Sequence, residues 1–177
     1  RISQAGMLAL CGYEKPLYYF RKAMWSDAPF VKITVSQGER DKTNVWTDNF
    51  IYSAEEGAEV HISCYTNADE VELFINERSL GKKSVTRNDS FRVTWTIPFK
   101  KGTLTAKVKG ASDTLTTPGK AEAISFVADK QNFNFNGQDV IQVEVALLDA
   151  DGNIASADDK TVFYQLTGDA QILGIEN

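Results

Sequence analysis

The sequence predicts a mainly β protein, built of antiparallel β-sandwiches preceded by one short α-helix. Three observations predict it. From Phe30 onward apolar residues recur with a period of two, Thr, Val and Ile together supply 38 of the 177 residues, and short apolar segments are separated by turn pairs without intervening helical stretches. β-branched side chains are stiff at χ1 and suit a pleated, half-buried surface better than a helix.

The helix comes first. Pro16 stands at its first position, where the missing N–H costs nothing. Leu17, Phe20 and Met24 then fall on one face at i, i+3 and i+7, and Tyr18 and Trp25 widen the apolar surface. Such a helix needs a large partner. Beyond Pro29 the pattern changes to alternation: Val31, Ile33 and Val35 with Lys32, Thr34 and Ser36, then Val60, Ile62 and Cys64 with His61 and Ser63, then Val71, Leu73 and Ile75 with Glu72 and Phe74. Further strands are predicted over 91–97, 104–108, 113–117, 123–127, 140–148, 161–166 and 171–175. Asn76-Glu77, Lys101-Gly102, Asn136-Gly137 and Asp151-Gly152 supply turns between them.

Composition narrows the function classes. The chain has 42% hydrophobic residues, two Cys, one His and a net charge of −5. That is enough apolar material for one domain or two small ones. Apolar runs fall far short of the ~18 residues of a membrane span, and the acidic balance gives no electrostatic reason to bind nucleic acid or an anionic membrane. Two Cys and one His cannot build a four-ligand structural zinc site. Cys11 and Cys64 can pair only if the fold brings their Cα atoms within about 7 Å. The charge is uneven: residues 1–30 carry +2, 31–118 balance, and 119–177 carry −7. Thr116, Thr117, Pro118, Gly119 and Lys120 lie at the second change, which places a linker at 117–120. The chain begins at Arg1 with no initiator Met and no basic-then-apolar leader, and reads as an excised piece of something longer.

No motif points to catalysis within these residues. The usual Ser or Cys nucleophile needs a His, and His61 alternates with Val60 and Ile62, which predicts a solvent-facing ring. Many Asp and Glu residues could contribute to a glycosidase pair, yet they fall mostly on predicted solvent faces or turns. Asp149, Asp151 and Asn153, followed by Asp158 and Asp159, resemble hard oxygen ligands for Ca²⁺, but the glycine comes two residues too early and no Glu closes the loop. The competing reading is a hairpin turn between Leu148 and Ile154, and it is preferred. Trp46, Phe91, Trp95, Phe99, Phe133 and Phe135 could stack on sugars if exposed in one plane. The alternation around Trp95 places it in a core instead, whereas Trp46 lies in a less regular segment and stays a candidate carbohydrate-binding residue.

Three segments together resemble one family. CGYEKPLYYFRKAMW (11–25) looks like the end of the catalytic barrel in glycoside hydrolase family 2 enzymes of the β-galactosidase type. There a Gly-x-x-Lys-Pro segment leads into the last barrel helix. YTNADEVELFINERSLGKK (65–83), with WTIPFKKGTLTAKVK (95–109), is similar to the Ig-like domain that follows that barrel. FNGQDVIQVEVALLDADGNIASADDKTVFYQLTGDAQILGIEN (135–177) resembles a further C-terminal Ig-like domain, whose pattern reads on into Gly. The family commonly has Asn-Gly where this chain has Asn76-Glu77.

The resemblance implies two consecutive Ig-like antiparallel β-sandwiches preceded by one short α-helix. Residues 1–29 would be the remnant of the barrel with its last helix, 30–117 the first sandwich, and 118–177 the second, truncated with an unpaired edge. It implies that the catalytic carboxylates, two Glu residues at barrel strand ends, lie outside this sequence, so that the chain has no catalytic residue, no metal and no cofactor. The parent would hydrolyse β-linked glycosides, galactosides first, by a retaining mechanism, and would be a secreted or periplasmic bacterial protein. The expected partner is the parent's barrel in cis. Glycan is a possible second ligand, and the helix from Leu17 to Trp25 would otherwise cover its apolar surface on the first sandwich or in a symmetric dimer. The alternatives are a carbohydrate-binding module and an Ig-like adhesion or interaction module.

Overall fold

A computed structural model of the chain describes residues 6–9, 12–37, 50–86, 90–132, 134, 136–155, 158 and 160–175. The helix, α1, spans Pro16–Trp25, with Pro16 at its start and the Ser26 N–H closing the last turn on the Lys22 carbonyl at 2.9 Å. Seven strands follow: β1 (Val31–Gln37), β2 (Glu59–Thr66), β3 (Glu70–Ile75), β4 (Arg78–Ser84), β5 (Arg92–Pro98), β6 (Thr103–Val108) and β7 (Ala111–Thr116). They form two antiparallel sheets, ordered β1-β2-β5 and β4-β3-β6-β7. The fourth strand stays beside the third while the fifth crosses back to the second, the kind of sheet-switching connection found in Ig-like sandwiches.

Alternation explains the core. Ile33 faces Cys64 and then Val93 across the first sheet, and Val35 faces Ile62 and then Trp95. All six are buried against Val71, Leu73, Leu104 and Ala106 of the second sheet. Tyr52 plugs one end: its ring lies 4.9 Å from that of Phe99, and its hydroxyl donates to the Lys100 carbonyl at 2.8 Å. Asp113 of β7 joins the sheets along one side, accepting the Ile33 N–H at 2.7 Å and the Lys32 ammonium at 3.3 Å.

The outer face of β1 and β2 departs from expectation. Thr34, Ser36, Ser63 and Tyr65 are polar by alternation, yet they are buried. α1 lies against β2 on this sheet. Its buried stripe is Tyr19 and Ala23, not the expected Leu17, Phe20 and Met24. Leu17 and Phe20 are half-buried, and Met24 is exposed. The Tyr19 ring meets Phe50 edge-on at 5.8 Å, and the Lys32 ammonium lies over both rings. The same helix thus holds the sandwich by one side and leaves another bare.

The connection from α1 to β1 is fixed by the turn after β2. Asn67 Oδ1 accepts the Phe30 N–H at 3.1 Å, while its Nδ2 donates to the carbonyls of Ser26 and Ala28 at 2.8 and 2.9 Å. Thr66 adds a hydroxyl donated to the Phe30 carbonyl at 2.5 Å. At the β3–β4 hairpin, Asn76 and Glu77 both have positive φ, 47° and 67°, the pair of left-handed residues that a tight hairpin turn requires. Asn76 also reaches across to Thr103 and Lys101, accepting from the former's N–H and donating to the latter's carbonyl.

The remainder carries two strands, β8 (Ala123–Ala128) and β9 (Val143–Leu148), paired antiparallel. The strands expected over 161–166 and 171–175 do not form, and residues 160–175 lack regular structure. Conversely β4 was not expected. It is an edge strand with Leu80 as its one large apolar residue, so no alternation marks it.

Two outcomes test this account. Asn67→Ala removes three hydrogen bonds worth about 1 kcal/mol each, and equilibrium urea unfolding should show a loss of ~2 kcal/mol. Glu77→Gly relieves a left-handed strain of about 1 kcal/mol while restoring roughly half of that as unfolded-chain entropy, so thermal unfolding should shift upward by about 2–4 °C.

Candidate functional site

The structure places the sequence-predicted candidates far from one another in role. His61 does face outward from β2, but its side chain is only 13% exposed because that sheet face is covered. Its Nδ1 lies 2.9 Å from the Thr96 hydroxyl and its Nε2 lies 3.6 Å from a Glu59 carboxylate oxygen. The register β1-β2-β5 sets these neighbours, since His61 is directly opposite Thr96. The ring is thereby a cross-strand hydrogen-bonding group. Trp95 is buried in the core, as its alternation predicted, and Phe99 with it. Trp46, Cys11, Phe133 and Phe135 lie outside the described residues. Cys64 is a buried free thiol, and burial pushes its pKa up, so it is held as a small apolar residue.

The acidic segment forms the hairpin. The Asp149 N–H donates to the Asn153 carbonyl at 2.9 Å, and Leu148 bridges Ile154. One Asp149 oxygen accepts the N–H groups of Asp151 and Asn153, at 3.0 and 2.8 Å, and the other accepts the Gly119 N–H at 2.8 Å. These donors, Gly119 foremost, hold the carboxyl well below its ordinary 3.8, at about 2. The lone pairs a Ca²⁺ ion would use are taken by backbone amides. Among the described residues no group of three or more potential ligands could hold a metal. Asp158 acts in the same way, accepting the Ala121 N–H at 3.2 Å. Asp159 lies outside the described residues.

The linker is therefore fastened from both sides. Thr117 donates its N–H to the Gly102 carbonyl, whereas Gly119 and Ala121 bond to Asp149 and Asp158. Pro118 stands between the two sets.

The most distinctive surface is the far side of α1. Trp25 is 70% exposed and Met24 44%, and Met7, Leu8 and Tyr13, from the short hairpin before the helix, are exposed too. Met7, Tyr18, Arg21, Lys22, Trp25 and Ser26 line a groove of about 260 Å³. The Arg21 guanidinium lies 5.5 Å from the Phe20 ring centre and 5.7 Å from that of Trp25. The Tyr19 hydroxyl donates to the Glu14 carboxylate and ties this hairpin to the helix. Burial, helped by Glu14, raises the Tyr19 pKa, so the phenol stays a donor. Such an arrangement can dock a surface. It offers no paired acid and base.

Residues 57–113 match a family described as a domain of unknown function, DUF4982, and residues 124–177 match glycoside hydrolase family 2 C-terminal domain 5. The chain is 31% identical over its whole length to the β-galactosidase BoGH2A of Bacteroides ovatus, of which it covers 20%. It superposes on a glycosyl hydrolase family 2 member from Bacteroides cellulosilyticus with a TM-score of 0.78 and 31% identity, over 86% of this chain and 22% of that one. A β-glycosidase from Bacteroides vulgatus gives a TM-score of 0.66 at 25% identity, over 84% and 18% of the two chains. The chain thus spans about a fifth of the length of the relatives it matches. In sequence and fold it is similar to the C-terminal region of glycoside hydrolase family 2 proteins.

Asn67, Asp113 and Asp149 were missed as organising residues. Only Asp149, inside a turn-rich segment, carried any local signal.

Because the folded Asp149 pKa is depressed, its contribution to stability is present above about pH 4 and disappears as the pH falls through about 2. Amide hydrogen exchange should show protection of Gly119 and Asn153 declining over that window, and already low at neutral pH in Asp149→Asn.

Proposed function

We propose that this chain is a non-catalytic, structural part of a family 2 glycoside hydrolase, bracing the catalytic barrel in cis through α1. One observation carries the reading: α1 is fixed to the sandwich along Tyr19 and Ala23, while Met24 and Trp25 on another side, with Met7, Leu8 and Tyr13, are exposed among the described residues. A helix between two bodies needs apolar residues on two sides. The whole protein would hydrolyse β-linked glycosides, with β-galactosides favoured by the name of the relative in Bacteroides ovatus. A retaining mechanism would use two carboxylates on the barrel, about 5–5.5 Å apart. The residues of this chain would hold that barrel without touching the sugar.

The purified chain should not turn over p-nitrophenyl β-D-galactoside, and calorimetric titration with galacto-oligosaccharides should give no saturable heat. Turnover would refute the structural role. Saturable binding lost in Trp46→Ala would instead establish a carbohydrate-binding module. In a full-length protein carrying this chain, Met24→Asp with Trp25→Asp should lower the thermal midpoint of the barrel, while the same pair leaves that of the isolated chain unchanged.

A further inference from the structure

We propose that Asn136 is a self-modification site, at which the Gly137 amide nitrogen attacks the Asn136 side-chain amide, ammonia leaves, and water opens the resulting succinimide to an aspartyl or isoaspartyl residue. The pair lies in the connection between β8 and β9 and is the one place in this sequence where Asn precedes Gly. Both residues are exposed in a turn. Ring closure balances as follows: the Gly137 nitrogen loses its proton and bonds Cγ of Asn136, the Cγ–Nδ2 bond breaks, and Nδ2 departs as ammonia. Hydrolysis then breaks one of the two imide C–N bonds. Opening at the main-chain carbonyl routes the backbone through the side chain and adds one carbon to it, and either opening leaves a carboxylate where a neutral amide stood.

The local geometry supplies what each step needs. Glycine has no Cβ to crowd the closing ring, and the space a Cβ would fill at Gly137 holds no atom within 4 Å, so water can reach the product. Among the described residues the Gly137 N–H has no acceptor, which leaves the attacking nitrogen outside any ladder, and the Asn136 Nδ2 that must depart donates to no group. Oδ1 is the atom that gains negative charge as the nitrogen adds. It already accepts the N–H groups of Gln138 and Asp139, each at 2.9 Å. Two fixed backbone donors on a developing oxyanion are the arrangement that lowers the barrier in acyl transfer. Attacker, leaving group and donors all lie within Asn136–Asp139, so the reacting atoms are held close before reaction. The turn is held in its own right: the Asn136 N–H donates to the Asn134 carbonyl at 2.8 Å, and Asp139 accepts the Asn134 N–H at 2.9 Å and the Lys130 ammonium.

In a full-length protein carrying this chain, peptide mapping by mass spectrometry should show loss of the side-chain amide at Asn136 well ahead of Asn67, Asn76, Asn134 and Asn153. Its rate should rise roughly tenfold per pH unit above neutrality, because the attacking nitrogen must first lose its proton. Gly137→Ala should slow it at least tenfold. Since Gly137 has a φ of 73°, that variant is strained, and a second comparison keeps the fold unmutated: the native protein should convert Asn136 at least as fast as the same protein unfolded in urea. An Asn136 that stays intact in the native protein while the unfolded one converts would overturn the proposal. A native rate well below that in urea, or one indifferent to pH or to Gly137→Ala, would do the same.

Discussion

One carboxamide decides where the helix lies. Asn67 sits in the turn after β2 and bonds three backbone groups of the segment between α1 and β1. Those groups would otherwise be left to solvent at a helix end, where a chain readily swings. With them held, α1 must return across the outer face of the first sheet, and Tyr19 and Ala23 meet that sheet. The sheet then has both faces covered: one packs on the apolar core, and the other, which carries Thr34 and Ser63, is buried on the side where α1 meets β2. Short hydroxyl side chains at these positions leave room for a helix.

This explains which parts of the fold were legible. Strands with one dry face announce themselves by alternation, and β1, β2, β3 and β5 were readable within a residue or two. β4 was not, because an edge strand with solvent on both faces has no reason to alternate. Segments 161–166 and 171–175 failed in the opposite way: Val162, Tyr164 and Leu166 have strand-like composition, but composition alone does not supply a partner ladder. The helix was recognised from Pro16 and its periodicity, yet its buried stripe was misassigned. Every side of it carries large apolar residues, so periodicity could not rank them, and the choice was made by Asn67, remote in sequence. His61 was placed on the correct face and given the wrong environment for the same reason.

The acidic surplus of the last third has a structural use. Asp149 and Asp158 accept backbone N–H groups from the linker and from their own turn, work that neither a neutral side chain nor a cation could do as well. The segment at the change of composition, 117–120, is thus not slack. Hydrogen bonds reach it from each side and meet at Pro118, whose ring fixes φ and whose nitrogen has no proton to offer.

What remains is why a helix of this composition should exist on a sandwich at all. A helix that served the sandwich alone could carry Lys or Glu at positions 24 and 25 at no cost to Tyr19 or Ala23. Met24 and Trp25 are there instead, each able to contribute roughly 1.5–3 kcal/mol if covered and nothing if left in water. Arg21 beside the Trp25 ring limits the exposure without ending it. Under the proposed bracing role, such side chains would make the position of the sandwich depend on that of the body α1 meets. The Asn67 clamp would then give that dependence a direction: a surface that seated Trp25 would also fix where β1 begins, because Asn67 ties the segment between α1 and β1 to the turn after β2.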